Sequence, residues 1–341
     1  MQKSGTYILA IESSCDDTSC AILRDNFVLS NITASQKIHE QYGGVIPELA
    51  SRDHQKNIVP VLTEALKVAN IQLQELSAIA VTIGPGLMGS LLVGISFAKS
   101  LAMSLKIPLI EVNHMQGHIL AHFIKDSDSK MLPEFPFLCL TVSGGHTQLV
   151  KMTDYLCFEL LGETIDDAVG EAFDKAAKIL GLPYPGGPLI DKYAQCGDNS
   201  KYKFSHSHVP GYDYSFSGIK TSFLYFIQNS IQKNPNFIEE NIADICASYQ
   251  SHLINVLLKN VKSLIKEIGI KQLAIAGGVS ANTELRKQIK KLEAELTIKT
   301  FIPKFEYCTD NAAMIGITGY YKYLKNEFGS LKSLPITRME I

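Results

Sequence analysis

A duplicated order of secondary structure constrains this chain more than any other feature. Residues 7–33 read as strand YILAIE, a small polar turn SSCDDTS, strand CAILRD, a tight turn and a third strand VLSNI, each a short β-rich run bounded by turn residues. Residues 137–161 repeat the plan with FLCLTV, SGGHT, QLVKMTD and YLCFELL. In the first half AIAVTI (78–83) then runs into glycine-rich GPGLMGS, an apolar helix near 89–105 and a strand around IPLIEV. In the second half QLAIAG (272–277) runs into GVSAN, a helix near 281–294 and a strand around IKTFI. Each half is three hairpin-connected strands followed by alternating helix and strand, which predicts a mixed sheet flanked by helices. Two such α/β lobes facing each other form a cleft.

Helical material lies between the matched pieces: residues 162–180, a helix after Ser217, and one or two helices across 237–267, with GLPYPGGP as a rigid loop. The last helix, DNAAMIGITGYYKYL from Asp310, is expected to return to the first lobe. No Ser/Gly/Pro linker separates the halves, so the first lobe is expected to comprise 1–125 plus 308–341 and the second 126–307. This plan is similar to the actin, Hsp70 and sugar-kinase superfold, whose paired ribonuclease-H-like lobes clamp a nucleotide. Such a fold does not by itself give the chemistry.

Composition narrows the partners. With 341 residues, 46% of them hydrophobic, the chain can bury a substantial core, which excludes a fibre or a disordered protein. Lysine and arginine total 32 against 34 acidic residues, so there is no overall positive field for nucleic acid. Only Arg24, Arg52, Arg286 and Arg338 offer the guanidinium that reads bases, and base reading by this chain alone is not expected. The lysine-rich stretches at 259–271 and 286–291 read as solvated faces. Seven dispersed cysteines without a C-x-x-C pair indicate reduced thiols. The first apolar run meets Glu12 at once, and no run approaches 18 uncharged apolar residues, so a cytoplasmic protein without a membrane partner is expected.

The turn of TVSGGHT lets backbone N–H groups approach an anion closely, which makes Thr141, Val142, Ser143, Gly144 and Gly145 a candidate phosphate cradle. An ordinary Gly-Gly hairpin turn is the alternative. Its duplicated counterpart carries Asp16 and Asp17 in place of glycines. AGGVSAN could press a flat ligand against backbone with Asn282 bonding to it, or Ser280 or Asn282 could simply cap a helix. GPGLMGS lacks the ending of a Walker loop and reads as close packing. Along Asp167, Glu171 and Asp174, a solvated stripe is the plain account, with Asp174 offered to a ribose.

His114, His118 and His122 fall at i, i+4 and i+8 in NHMQGHILAH, and the first two form a candidate metal pair. His122 is about 12 Å along the axis from His114 and reads as a spectator. Met115 stands where a zinc peptidase helix has its general-base glutamate, which disfavours that class. Asp310 taken alone reads as an N-cap. Joined to the two histidines it completes the donor set of a catalytic Fe(II) or Zn(II) centre with open positions.

Nine segments, ESSCDDTS, YGGVIPELASRDHQ, NHMQGH, VSGGHTQL, DDAVGEAFDKAAK, YPGGP, SFSGIKT, AGGVSAN and CTDNAAM, occur in this order over essentially the whole chain. Together they resemble the universal tRNA threonylcarbamoyladenosine transferase family, in its bacterial form. The resemblance implies transfer of a threonylcarbamoyl group from threonylcarbamoyl-AMP to the N6 amine of the adenosine 3′ of the anticodon, in tRNAs reading codons that begin with A. It implies one divalent metal ion, iron(II) ahead of zinc(II), on His114, His118 and Asp310. It also implies that Thr141 to Gly145, Asp174, Gly187, Asp191 and Asn282 hold the intermediate, Asp191 matching a position that varies in the family. Implied partners are tRNA, a smaller paralogue of the same superfold and a P-loop ATPase. Asp16, in the facing turn, is the residue expected to position or deprotonate the amine. Rival readings are a small-molecule kinase of the same superfold and a non-catalytic nucleotide-gated scaffold; the histidine pair argues against the kinase.

Overall fold

The computed structural model describes residues 5–125, 131–205 and 209–341, so the expected lobe boundary at 125/126 abuts a stretch outside the described residues. The chain divides into two compact units: Met1–Pro133 with Asp154–Phe158 and Pro303–Ile341, and Glu134–Thr153 with Glu159–Ile302.

In the first unit, strands β1 (Tyr7–Glu12), β2 (Asp17–Arg24), β3 (Phe27–Ser35), β4 (Ala78–Gly84) and β5 (Leu109–Asn113) form a mixed sheet in the order β3-β2-β1-β4-β5. The β1–β2 and β2–β3 pairs are antiparallel, whereas β1–β4 and β4–β5 are parallel. Helices α1 (Pro47–Ala69) and α2 (Met88–Leu105) share a core with one face, where Leu9, Ile11 and Val81 meet Ile58, Leu62, Leu91 and Ile95. By length and composition α2 could cross a membrane. Here one side of it is buried through Leu91, Gly94, Ile95, Ala98 and Ala102, as in the core helix of a folded domain. Helix α3 (His114–Leu120) follows β5 without a loop.

The second unit repeats the order. Strands β6 (Phe137–Val142), β7 (Thr147–Asp154), β8 (Cys157–Glu163), β9 (Gln272–Ala276) and β10 (Lys299–Phe301) lie as β10-β9-β6-β7-β8. Again the middle strand pairs antiparallel with its hairpin partner, β7, and parallel with the strand that arrives later, β9. Helices α4 (Val169–Ile179), α5 (Gly186–Ala194), α6 (Ser217–Lys233), α7 (Phe237–Ile268) and α8 (Thr283–Leu296) supply the rest of its core. The buried hydroxyls of Tyr214 and Tyr249 donate to the carbonyls of Leu257 and Ala172, so this aromatic core is polar-satisfied.

Two local expectations change, and one open choice is resolved. Helix α4 begins only at Val169, because Gly162 and Glu163 finish β8 and Thr164 Oγ1 donates to the Asp167 carbonyl at 2.6 Å to close a turn. Gly186 and Gly187 of GLPYPGGP open α5 instead of remaining in a loop. Residues 237–267 belong to one helix, α7, closed at Gly269 in the left-handed conformation.

Helix α9 (Ala312–Leu324) packs on the first unit's sheet, and its glycines make this approach possible. A Cβ on Gly316 would lie 2.3 Å from Leu23 Cδ1, and one on Gly319 would lie 2.5 Å from Ala80 Cβ. Backbone thus sits directly on the side chains of Leu23 and Ala80, and the segment preceding α9 is carried to the end of the sheet where α3 starts.

Candidate functional site

In the first unit the site grows from two helix starts. Asn113 Oδ1 accepts from the N–H groups of Met115 and Gln116 at 2.8 and 3.3 Å, so α3 is capped and His114 is its first residue. Asn113 is itself held, its Nδ2 donating to the Glu340 carbonyl at 2.7 Å. The other start corrects the reading of Asp310 as a cap: Asn311 performs that role, its Oδ1 accepting from Met314 N at 3.1 Å. The Asp310 carboxylate therefore remains available. Its Oδ1 lies 3.3 Å from His114 Nε2 and 3.2 Å from His118 Nε2. The two Nε2 atoms are 3.1 Å apart, with the rings edge to face. Gly117 lets α3 come this close to α9, since a Cβ there would meet Ile315 Cδ1 at 3.0 Å. His122 lies beyond α3, buried in the 3-10 turn Ala121–Phe123.

These three donors suit a metal ion. Donors bound at ~2.0–2.1 Å are separated by roughly 2.9–3.4 Å in octahedral or tetrahedral sites, which brackets the three distances found. Among the described residues the three side chains form a group able to share one ion. Burial works against a charge on His114, but Asp310 and Glu12 outweigh it and hold that imidazole well above its ordinary pKa. Burial likewise opposes the carboxylates, yet the His114 charge and hydrogen bonds keep Asp310 and Glu12 below theirs. His118 is pulled down by burial. Without a metal, then, the two carboxylates favour charge on His114 and burial disfavours it on His118, and a divalent ion would replace that charge.

The turn from β1 to β2 is pinned from behind. Leu87 N donates to the Ser14 carbonyl at 2.8 Å, while His54 Nε2 and Ser90 Oγ each reach the Cys15 carbonyl at 2.9 Å. His54 Nδ1 accepts from Thr18 Oγ1 at 2.8 Å, so the sequence left an undetected buried clamp on the Asp16–Asp17 segment. Asp16 sits half-buried in the turn, and Asp17 opens β2. Burial, with the charges of Asp310, Asp16 and Glu12, raises Asp17 to about 7 against a hydrogen bond from Ser35. Burial, with the charges of Asp16, Asp310 and Asp17, pushes the Cys15 thiol far up, which disfavours a thiolate there.

In the second unit, Thr141 and Val142 end β6 and are fully buried. The turn from Ser143 to His146 is closed by Ser143 N donating to the His146 carbonyl at 2.8 Å and by His146 N donating to Ser143 Oγ at 3.1 Å. Gly144 and Gly145 are exposed, and a Cβ on either would meet nothing within 4 Å. This open space lies where the carboxyl ends of parallel strands β6 and β9 meet the start of α4, the usual place for a ligand on such a sheet. A Cβ on Gly277 would strike the Val142 carbonyl at 2.4 Å, and one on Gly170 the Ser143 carbonyl at 2.5 Å.

The other expected substrate residues hold backbone. Asp174 Oδ1 accepts from Gly186 N and Gly187 N at 2.9 and 3.1 Å, capping α5, and burial raises its pKa despite these bonds. Asp191 accepts from Thr283 N and Oγ1 at 3.0 and 2.7 Å. Asn282 caps α8 through Leu285 N at 2.9 Å and donates to Gln250 Oε1 at 2.7 Å. Together these bonds fix the Gly186–Gly187 and Gly277–Asn282 turns. Asp167 joins Lys175 and Lys220 at 3.1 and 2.5 Å. Asp166, which the sequence did not single out, accepts from Ser215, Phe216 and Ser217 at the start of α6.

Known proteins match both the fold and the chain. HypF from T. kodakarensis superposes with a TM-score of 0.60 at 15% identity, covering 95% of this chain and 48% of that one. Component A of (R)-2-hydroxyglutaryl-CoA dehydratase from Acidaminococcus fermentans does so at 0.52 and 15%, covering 94% and 99%. Both show the fold alone. The tRNA N6-adenosine threonylcarbamoyltransferase of Christiangramia forsetii is 64% identical over 94% of each chain. That of Cytophaga hutchinsonii is 55% identical over 100% of this chain and 98% of its own. The family model for tRNA N6-adenosine threonylcarbamoyltransferase matches residues 27–317. With that match and relatives more than half identical over nearly their whole length, the chain belongs to the tRNA N6-adenosine threonylcarbamoyltransferase family.

Proposed function

We propose that this protein transfers the threonylcarbamoyl group of threonylcarbamoyl-AMP to the N6 amine of the adenosine 3′ of the anticodon, in tRNAs reading codons that begin with A. The observation that carries this reading furthest is the convergence of His114, His118 and Asp310, since a kinase of the same superfold has no need of imidazole donors. In the reaction the N6 lone pair forms a bond to the carbamoyl carbon, the bond from that carbon to the phosphate oxygen breaks, and AMP departs with the electron pair. The N6 proton passes to Asp16 or, through it, to water. Backbone N–H groups of Gly144 and Gly145 hold the phosphate before and after cleavage. Asp174, Asp191 and Asn282 serve by fixing the turns that surround the nucleotide. His114, His118 and Asp310 would hold a divalent ion, iron(II) or zinc(II), which when bound supplies Lewis-acid polarisation of the carbamoyl group.

The partner proteins in this reading are a smaller paralogue of the superfold and a P-loop ATPase, acting with it in the cytoplasm. An exposed groove of about 630 Å³ between α1 and α2, lined by Ile58, Val59, Leu92, Val93 and Phe97, supports a protein partner. Val59 and Leu92 are 54% and 45% exposed, and such an apolar stripe favours being covered. A net charge of -2 likewise supports shared tRNA binding.

The test supplies purified protein, both partners, threonylcarbamoyl-AMP and unmodified tRNA, and reads the nucleosides by mass spectrometry. Modified adenosine and released AMP, without ATP consumption in the transfer step, are expected. Unmodified adenosine with intact intermediate and metal-loaded protein would refute the proposal.

A further inference from the structure

Glu12 belongs to none of the groups assigned above, yet it is the charged residue most deeply enclosed near the metal donors. It ends β1, is 0% exposed, and is gripped from three sides. Its Oε1 accepts from Ser14 N at 2.6 Å. Its Oε2 accepts from Thr82 Oγ1 at 2.5 Å, across to β4, and lies 3.1 Å from His114 Nδ1. Thr82 itself is fully buried. Among the described residues the only ion pair of Glu12 is with His114.

We propose that Glu12 is a positioning residue that fixes the tautomer and direction of His114, so that Nε2 faces His118 and Asp310. The inference rests on the metal reading of that trio. A carboxylate cannot donate, so a hydrogen bond between Glu12 and the ring requires the proton on Nδ1. On the neutral ring that a metal would require, the lone pair then belongs to Nε2, the atom 3.1 Å from His118 Nε2 and 3.3 Å from Asp310 Oδ1. The carboxylate also raises the basicity of the imidazole as a ligand, the part that outer partners of metal-bound histidines play. A strap between β1 and β4 alone would not need a charge; a neutral amide would serve without the desolvation cost of a buried carboxylate. The two histidines differ here, since His118 Nδ1 has no hydrogen-bond partner among the described residues. Glu12 therefore acts on one ligand of the pair.

Glu12→Gln keeps the size and removes the charge. Its amide N–H₂ must face either Ser14 N–H or the His114 and Thr82 donors, so one donor meets another in either orientation. Ser14 Oγ, 3.2 Å from His114 Nδ1, is the competing partner, and Ser14→Ala removes it while retaining the backbone N–H that Glu12 uses.

The experiment measures zinc affinity of chelator-stripped protein by competition with a chromogenic chelator. The expected result is a loss of about 10–100-fold for Glu12→Gln and less than about threefold for Ser14→Ala. Equal affinity of parent and Glu12→Gln, or a Ser14→Ala loss as large as that of Glu12→Gln, overturns the role of Glu12. Failure of the parent itself to bind zinc overturns the metal reading, and this inference with it. Should Glu12→Gln not fold, two-bond proton–nitrogen NMR of zinc-loaded parent protein decides directly. A proton on His114 Nδ1 with Nε2 coordinated is expected, and the reverse assignment refutes the proposal.

Discussion

Placing a methyl group on either side of the Ser143–His146 turn separates a phosphate cradle from a plain hairpin. Gly145→Ala adds a Cβ on the open side, where nothing lies within 4 Å, and Gly145 does not occupy the left-handed region. The folded state therefore accepts it, and loss of unfolded-state freedom gives a gain of about 0.4–1 kcal/mol. If phosphate sits against these amides, the methyl displaces it beyond hydrogen-bond distance. Loss of even one charge-assisted bond, roughly 1.5–3 kcal/mol, weakens AMP more than about tenfold. Gly170→Ala approaches from the other side. Its Cβ would stand 2.5 Å from the Ser143 carbonyl, 2.8 Å from Gly144 Cα and 2.9 Å from Gly144 N. All three are backbone atoms, so the turn must move, at an overpacking cost of about 1–3 kcal/mol. For a unit of this size that lowers the melting temperature by roughly 2–10 °C. Calorimetric AMP titration and thermal melts of both variants make the assay. The open-side variant should lose ligand without losing stability, and the rear variant should lose both. Unchanged AMP affinity in folded Gly145→Ala would refute the cradle and leave a simple hairpin.

Other outcomes follow from the first unit. His114→Ala or His118→Ala should retain less than about a tenth of the parent's bound metal with unchanged circular dichroism, as expected when one of three donors is removed; full occupancy, read by mass spectrometry of chelator-free protein, would refute the assignment. Asp17, raised to about 7, favours folding in its protonated form, so its contribution is complete below the ordinary carboxylate range and is lost as pH rises through 7. In metal-stripped protein, Asp17→Asn should therefore gain about 2–3 kcal/mol more over the parent at pH 8 than at pH 5, and an equal difference at both pH values in urea melts would contradict the buried-acid account. Leu92→Glu, on the exposed groove, should abolish co-purification with the paralogue while leaving metal content unchanged; retained co-purification would move the partner elsewhere.

What could be read from the sequence was what local pattern encodes. Short β-rich runs and turn residues announced both sheets, and the repeat announced their common order, because strand period and turn chemistry act over a few residues. His114 and His118 were legible for the same reason, since helical spacing puts them on one face. Helix 162–180 was drawn too long because its amphipathic run continues into Thr164–Ala168, where the tertiary bond from Val169 N to Thr147 Oγ1 sets the start. The choice between Asp310 and Asn311 as cap was likewise undecidable locally: both types cap well, and packing of α9 on β1 and β4 settles which side chain turns inward.

Glu12 shows the limit most sharply. In sequence it is a charge that stops an apolar run, and its position argues only against a signal peptide. Its meaning lies in Thr82, 70 positions away, and in His114, 102 positions away. A buried carboxylate must find partners, and sequence reveals that need without revealing who meets it. Asp174, Asp191 and Asn282 illustrate the converse. Their motif positions suggested ligand contact and did not reveal that each is engaged with backbone N–H groups at a helix start, in keeping with the short polar side chains that such starts favour. A turn lined by exposed glycines needs rigid supports that are not themselves glycine, and these capped helix starts provide them. Which side chains hold the glycine turns in place is therefore told by the architecture and not by the motif.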